Sequence, residues 1–384
     1  MRVVFVGEML RCMARRHRWG VIGMRAPALY GLRLWLSVFL VLGVTGCGGA
    51  SGLSNAATTQ PSVASHGSPV PAPVGWSSKV MPARVRLLDG VSCATVSACV
   101  AVGAGAAGPA VVVGLGGSAW RTGSVRGEIS LLLDFYSVSC PSTSRCIAAS
   151  DGGPYLTTDA GRTWVLAKLP ADIARNEPAL NAVSCASVSI CVAVGDLGIF
   201  RSADGGGTWA LLTSVNAPAE RAISCSGSTC LAVAGQALVS NDGGASWQSG
   251  VTPTGVSGLV AASCASSSVC VAVGSGSTTA EEGATFTSDG GRSWTASSTP
   301  PHGVVDAVAC PTANSCFASG ANSAGGSGEV FRTSDGGRSW SSVTPPLGAE
   351  RLYGIDCVTD RACVAVGKGL SQVFFTLDAG TTWH

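Results

Sequence analysis

A pair of cysteines recurs seven times along this chain, and its spacing is the strongest constraint on the fold. The first cysteine of each pair follows the previous one at intervals of 39 to 47 residues. Repeats of about 40–50 residues are typical of propeller blades, and helical repeats share that range. The segments around the cysteines are short and apolar, are bounded by Gly, Ser and Asp, and show no helical pattern. The chain is therefore predicted to be all-β, with one cysteine pair in each blade.

The cysteine pairs are predicted to form disulfides, because each spans a tight turn between two strands of one blade. Cysteines placed opposite each other in a hairpin lie within disulfide distance, and each small closed loop contributes about 2 kcal/mol to stability. Metal binding or redox chemistry is the alternative, but the spacing is not that of a zinc site and the chain has only 4 His. The predicted disulfides are Cys93–Cys99, Cys140–Cys146, Cys185–Cys191, Cys225–Cys230, Cys264–Cys270, Cys310–Cys316 and Cys357–Cys363.

Six of the seven units end in the same turn, whose first copy reads Thr157-Thr-Asp-Ala-Gly-Arg-Thr-Trp164. Its Asp accepts local backbone hydrogen bonds, its Gly takes positive φ, and its Trp is expected to pack on the neighbouring sheet. The turn resembles the Asp box of sialidase-type (BNR) repeats, which implies a structural role for its aspartates. These are Asp159, Asp204, Asp242, Asp289, Asp335 and Asp378.

The two ends of the repeat region are predicted to meet in one blade. Trp76–Met81 looks like the fourth strand of a blade, whereas the last unit stops at His384 without that strand. Pairing of the two would close the ring and remove an open sheet edge. We therefore expect a seven-bladed β-propeller of four-stranded blades over residues 75–384, closed by this N-terminal strand.

The residues before the repeats predict export and a membrane anchor. Leu34–Val44 is an apolar run that is too short to span a bilayer and suits a signal peptide. It leads to Cys47, and residues 1–47 resemble a signal peptide with a lipobox whose cysteine is lipidated; Met24 is an alternative start. An ordinary cleaved signal is the alternative. Residues 48–74 are rich in Gly, Ser, Pro and Ala and predict a flexible linker. The expected location is the extracytoplasmic face of a bacterial membrane, or secretion.

The charge of the chain argues against nucleic acid as a partner. Arginines are concentrated before Cys47, and the remainder carries more acidic than basic residues, although the whole chain is +2. A mildly acidic domain offers no electrostatic footprint for a phosphate backbone.

Two family resemblances suggest competing functions. The sialidase resemblance implies a glycoside hydrolase in which three arginines bind the substrate carboxylate, a Tyr–Glu pair supplies the nucleophile and an Asp acts as the acid. Tyrosine is scarce in this chain, however, and the usual Arg-Ile-Pro motif is missing. The repeats also resemble the photosystem II assembly/stability factor family of exported propellers, which implies a protein client. A cysteine pair in every blade departs from that family.

Candidate binding residues are the charged and aromatic side chains expected on the face opposite the cysteine and Asp turns. They are Arg84, Arg86, Arg175, Glu177, Glu220, Arg221, Glu350, Arg351, Tyr353 and Lys368. A mixed-charge mouth of this kind is where propellers usually bind partners, while ordinary solvated loops are the alternative.

These observations together predict a non-catalytic module that binds a protein or a glycan at the cell envelope. A sialidase-like hydrolase and an assembly factor for a membrane protein complex are the alternatives. No catalytic residue, metal or cofactor is expected, the membrane is reached only through the lipid anchor, and the domain is expected to be monomeric.

Overall fold

The computed structural model describes residues 85–115, 120–127, 133–175, 177–212, 221–233, 237–251, 256–276, 282–298, 303–369 and 373–384. These residues form a seven-bladed all-β propeller with one short helix, which confirms the predicted fold. The predicted signal peptide, Cys47, the linker and the closing strand Trp76–Met81 lie outside the described residues. Within the described part of the chain, no helix is long and apolar enough to cross a membrane.

The first three blades follow one another along the chain. Blade 1 contains β1 (Val85–Thr95), β2 (Ala98–Gly105), β3 (Gly108–Leu115) and β4 (Arg121–Thr122). A two-residue strand, β5 (Ser124–Val125), then pairs in parallel with the outer strand of blade 2. Blade 2 contains β6 (Phe135–Ser139), β7 (Cys146–Ser150), β8 (Gly153–Thr157) and β9 (Thr163–Leu166), followed by helix α1 (Ala171–Ala174). Blade 3 contains β10 (Leu180–Cys185), β11 (Cys191–Gly195), β12 (Gly198–Ser202) and β13 (Ala210–Leu211).

The remaining blades repeat this order. Blade 4 contains β14 (Ala222–Ser226), β15 (Thr229–Val233), β16 (Ala237–Ser240) and β17 (Gln248–Ser249). Blade 5 contains β18 (Val256–Cys264), β19 (Cys270–Gly276), β20 (Glu282–Thr287) and β21 (Thr295–Ala296). Blade 6 contains β22 (Val304–Ala309), β23 (Cys316–Ala321), β24 (Gly328–Thr333) and β25 (Ser341–Val343). Blade 7 contains β26 (Ala349–Cys357), β27 (Cys363–Gly369) and β28 (Val373–Thr376).

Blade 7 has three strands among the described residues, with a fourth begun by its last residue. The backbone N–H of His384 donates to the carbonyl of Phe375 at 3.0 Å, and the Phe375 N–H donates back at 3.1 Å. Ala210 pairs with Arg201 at the corresponding place in blade 3. His384 therefore occupies the first position of an outer strand.

The blades are held together by apolar packing between their faces. Side chains alternate along each second strand, so Cys146 and Ala148 of β7 face blade 1, whereas Ile147 and Ala149 face blade 3. The same arrangement gives one buried hydrophobic cluster at each of the seven interfaces. One of these clusters joins blade 7 to blade 1, and β26 packs beside β1. The ring is therefore closed by packing.

Each of the six Asp turns, from the residue two before the aspartate to the tryptophan, is fixed by its own hydrogen bonds. In the turn of blade 4, Ser240 Oγ donates to Asp242 Oδ1 at 2.7 Å, and Ser246 N–H donates to the same oxygen at 2.9 Å. Hydrogen bonds from Ser246 to the carboxylate lower the pKa of Asp242 to about 2. The turn also needs its glycine, because Gly244 has φ 80° and a Cβ there would overlap the Val192 side chain of blade 3.

The tryptophan of each Asp turn connects one blade to the preceding one. Trp164 is fully buried in the cluster between blades 1 and 2, and Trp209 is buried between blades 2 and 3. The indole N–H of Trp164 donates to the carbonyl of Gly161 in its own turn at 3.0 Å. The expectation that these rings pack on the neighbouring sheet is therefore confirmed for these two blades.

All seven predicted disulfides are formed, each closing a Cys turn, the segment between the two cysteines of a pair. The Cys turn and the Asp turn of a blade also lie together: the Gly243 N–H donates to the carbonyl of Ser228 at 2.8 Å. Seven disulfides are typical of a protein that folds in an oxidising environment.

A second set of hydrogen bonds runs around the ring between neighbouring inner strands. At six of the seven interfaces, the side chain of the residue before the first cysteine of one blade accepts a bond from the N–H of the first cysteine in the next blade. A serine is the acceptor at five of these interfaces, at 2.9 or 3.0 Å, namely Ser92, Ser139, Ser184, Ser224 and Ser263. These bonds align the inner strands of adjacent blades.

Asp356 takes the place of the serine at the interface between blade 7 and blade 1. Its Oδ2 accepts from the N–H of Cys93 at 2.6 Å, and its Oδ1 accepts from the N–H of Cys357 at 2.9 Å. Removal of the carboxylate from water raises its pKa to about 6, against the lowering effect of the two N–H groups. The closing interface therefore carries an ionisable group where five of the others carry a hydroxyl.

Asp356→Ser should stabilise the domain at neutral pH. Because folding raises the pKa of Asp356, the native state is penalised as this group ionises, so its contribution to stability falls from about pH 4 to about pH 6. We expect the free energy of unfolding of the variant to exceed that of the wild type by up to about 3 kcal/mol at pH 7.5, and the two to converge near pH 4. Denaturant titration at several pH values measures the difference.

The control for this experiment is Asp360→Ser, which removes an exposed carboxylate from the Cys turn of the same blade. It should leave the pH dependence of the wild type unchanged. A difference between Asp356→Ser and the wild type that does not vary with pH would contradict the assignment.

Candidate functional site

The strand order places the two ends of every blade on different faces of the ring. In an antiparallel meander the first and third turns lie at one end, and the second turn and the connection to the next blade lie at the other. The Cys turns and Asp turns therefore share one side, here called the turn face. The opposite side, called the mouth face, carries the starts of the inner strands, the loops between second and third strands, and the connections between blades.

The inner strands are bulged where they leave the mouth face. In six of the seven blades the residue four places before the first cysteine is skipped in the pairing with the second strand. A β-bulge of this kind re-aims a side chain out of the regular alternation and is common beside binding sites. The bulged residues are Asp89, Tyr136, Asn181, Val260, Asp306 and Tyr353, and Arg221 holds the same position in blade 4. These seven residues are called the mouth ring.

Glycines on the second strands make the bulges possible. In five blades, glycine pairs with the residue just before the bulge. A Cβ on Gly195 would overlap the carbonyl of Ala179, and a Cβ on Gly367 would overlap the carbonyl of Arg351. The close approach of the two backbones therefore requires glycine at these positions.

Polar contacts hold several members of the mouth ring in place. The hydroxyl of Tyr136 donates to Asp151 Oδ1 at 2.6 Å, which ties the ring to the loop between β7 and β8.

The connection between blades 2 and 3 also lies on the mouth face, and it carries Glu177, which is exposed with φ 43°, in the left-handed region. Burial and, second, the negative charge of Glu177 raise the pKa of the Tyr155 hydroxyl.

The best-defined group of the mouth face lies between blades 6 and 7. Arg351 donates to both carboxylate oxygens of Asp306, through Nε at 2.7 Å and Nη2 at 2.6 Å. Its guanidinium also lies 5.1 Å from the centre of the Tyr353 ring. Such a bidentate, stacked arginine is held in one orientation. A second ion pair, Lys368 to Glu350 at 3.4 Å, lies in blade 7 with both side chains 55% exposed.

The predicted binding residues are placed on the mouth face but are not all brought together. Glu350, Arg351, Tyr353 and Lys368 form one group on blade 7. The others with described positions are spread around the ring and exposed: Arg86 on blade 1, Arg175 and Glu177 before blade 3, and Arg221 on blade 4. Arg84 and Glu220 lie outside the described residues.

Sequence reasoning missed four polar members of the mouth ring: Asp89, Tyr136, Asn181 and Asp306. A usable pattern was present, since counting back four residues from the first cysteine of each blade reaches a polar or aromatic side chain in six of the seven units. The bulge that re-aims these side chains has no sequence pattern of its own apart from the glycine on the second strand.

The mouth face can recognise a ligand through fixed charges, amides and aromatic rings. Among the residues that the structure describes, no group of three or more His, Cys, Asp or Glu side chains is arranged to hold a metal ion. The Arg351–Asp306 pair is bidentate and stacked on Tyr353, so it presents an oriented charge distribution beside an aromatic ring. Such an arrangement suits binding to a surface with complementary polar groups.

Arg351 and Asp306 should be energetically coupled, because their ion pair is bidentate and has side-chain exposures of only 31% and 19%. In a double-mutant cycle with Arg351→Ala and Asp306→Ala, we expect a coupling energy of about 1.5–3 kcal/mol in the free energy of unfolding. The exposed pair Glu350 and Lys368, treated in the same way, should give at most about 1 kcal/mol. Equal coupling in the two cycles would show that the oriented arginine is not held as described.

The sequence matches no protein-family model, and a search of curated proteins found no relative. Several solved structures have a fold similar to that of this chain. YCF48 bound to D1 peptide is 17% identical with a TM-score of 0.58, covering 77% of this chain and 94% of that one. YCF48 from Cyanidioschyzon merolae is 17% identical with a TM-score of 0.57, covering 78% and 98%. The WD40 propeller domain of Doa1 is 9% identical with a TM-score of 0.56, covering 78% and 95%. At these identities the likeness is one of fold: the chain is a propeller of their architecture.

Proposed function

We propose that this chain is an exported, non-catalytic module that binds a protein partner through its mouth face. The observation that carries this proposal is the mouth ring, in which a bulge in six inner strands re-aims side chains on one side of the propeller. The turn face, by contrast, uses the Asp carboxylates and many of its hydroxyls for local hydrogen bonds.

The chemistry of the mouth face supports a protein partner. Arg351, Asp306 and Tyr353 combine an oriented charge pair with an aromatic face, and arginine and tyrosine are the residue types enriched in protein interfaces. The YCF48 structure of similar fold has a D1 peptide bound, which is a precedent for peptide binding by this architecture. An assembly factor for a membrane protein complex would be one form of such a module.

Site-specific crosslinking tests the use of the mouth face. A photo-crosslinking residue at position 86 of the mature domain should capture an envelope protein of the host, and the same residue at position 143, an exposed site on the turn face, should not. The double variant Arg221→Ala/Arg351→Ala removes two cationic side chains from the mouth face, and we expect it to weaken partner binding at least about tenfold, which is about 1.4 kcal/mol. At a partner concentration below the dissociation constant, it should therefore lose at least about 90% of the captured partner.

Capture from position 143 alone, or undiminished capture by the double variant, would contradict the proposal.

A fluorogenic sialoside incubated with the purified domain tests the hydrolase alternative, and we expect no turnover. Sustained turnover that is lost on a single acidic substitution would replace the binding role with a catalytic one.

We further propose that the chain is held at the membrane through Cys47. The apolar run before this cysteine and the linker after it support the proposal, as do the seven disulfides, which require an oxidising environment. In the native host, the wild type should partition with membranes and Cys47→Ser should move most of the protein into the soluble fraction. Equal membrane partitioning of the two proteins would rule out lipidation at this residue.

A further inference from the structure

A polar groove opens on the turn face between blades 4 and 5. Its volume is about 710 Å³, within the range of ligand pockets. One wall is the outer strand of blade 4 with the residues that follow it, Gln248 to Val251. The opposite wall is the Asp turn of blade 5, from Ser288 to Arg292, together with Ser267 and Ser268 of its Cys turn.

At two other interfaces, large side chains fill the place that the groove occupies here. Between blades 2 and 3, Arg145 reaches across and donates to the carbonyl of Gly205 at 2.7 Å. Between blades 3 and 4, Arg201 donates to the carbonyl of Gly243 at 2.9 Å, with Ile190 packed beside it.

Two small residues stand at these positions beside the groove. Thr229 corresponds to Arg145 and Ile190, and Val239 corresponds to Arg201. The Cys turn of blade 4 is also one residue shorter than the others, with a cysteine separation of 5 instead of 6. Ala98 and Val113 hold the same two positions between blades 1 and 2, so the shorter Cys turn is the feature that distinguishes the interface of the groove.

The lining of the groove is rich in neutral hydrogen-bonding groups. Hydroxyl and amide side chains can both donate and accept, and seven of them line the groove: Thr229, Asn241, Gln248, Ser249, Ser267, Ser268 and Ser288. Thr229 Oγ1 donates to Asn241 Oδ1 at 3.5 Å, and Ser268 Oγ lies 3.3 Å from Ser266 Oγ, so these groups keep part of their hydrogen-bonding capacity for a ligand. Its carboxylate, Asp289, is already used by its own turn, with Thr287 Oγ1 on Oδ1 at 2.7 Å and Ser293 Oγ on Oδ2 at 2.5 Å. The single cationic side chain is Arg292, which is exposed.

We infer that this groove binds a neutral oligosaccharide. A ligand that carries many hydroxyl groups needs a site in which donors and acceptors are both abundant, because each buried hydroxyl without a partner costs free energy. The groove meets that requirement with side chains rather than with a charged centre. This site lies on the face opposite the mouth ring and is independent of the protein partner proposed there.

Calorimetric titration with neutral hexasaccharides of glucose, mannose, xylose and N-acetylglucosamine tests the inference. At least one should bind the wild-type domain at millimolar concentration or below. Thr229→Arg places an arginine where blade 2 has Arg145, so its side chain should fill the groove and weaken that binding at least about tenfold. Because Thr229 is only 3% exposed, a second variant, Ser288→Arg at an exposed position of the groove, should weaken binding to a similar extent with an unchanged melting temperature.

Thr143→Arg is the matched control, since it adds the same side chain to the turn face of blade 2. It should leave sugar binding unchanged, as should Arg351→Ala on the mouth face. A hexapeptide of Ser, Thr, Asn and Gly should not bind. Failure of all four sugars to bind, binding that survives both groove variants, or binding of the peptide in place of the sugars would overturn the inference.

Discussion

Every blade of this propeller depends on its two neighbours, because both faces of its sheet are apolar. The short second strands carry Val, Ile, Ala and Cys toward both sides, and almost every one of these residues is buried. A single blade would expose both faces to water, so its stability comes from being sandwiched. A closed ring leaves no such face uncovered. In six of the seven blades, a hydrogen bond from the first cysteine N–H to the preceding blade also holds the inner strands in register.

The architecture was predictable because it depends on short sequence patterns that recur in each unit. The cysteine spacing, the apolar strands and the Asp turns each recur in register, so seven repeat units can be counted. The disulfides were predictable because each cysteine pair falls across one hairpin. The site was less predictable, because it depends on relations between blades. Arg351 and Asp306 are 45 residues apart and meet only across an interface, and the bulges arise from backbone register rather than from residue type.

The same logic applies to the groove between blades 4 and 5. Thr229 and Val239 are unremarkable strand residues when read alone. Their position becomes informative only by comparison with Arg145 and Arg201, which fill the corresponding space at two other interfaces, and with the shorter Cys turn of blade 4. In a repeat protein, the absence of a large side chain from one repeat can shape a cavity as effectively as the presence of polar groups can line it.

The two faces of the ring place different constraints on the sequence. On the turn face, aspartates, hydroxyls and glycines close the hairpins, and their hydrogen bonds stay within a blade or reach its neighbour. On the mouth face, the inner strands give up regular pairing at one residue in six blades, which frees that position to vary from Asp to Tyr to Val. Variation is therefore concentrated where it does not disturb the packing between blades.

The short loops closed by the disulfides have a consequence for how the chain acquires its shape. Partners are only 5 or 6 residues apart, whereas the next cysteine pair lies tens of residues away. Loops of this size close far faster than long ones, so each thiol meets its correct mate first. Oxidation can then accompany folding, one hairpin at a time, and fourteen cysteines need not search among one another for the right match.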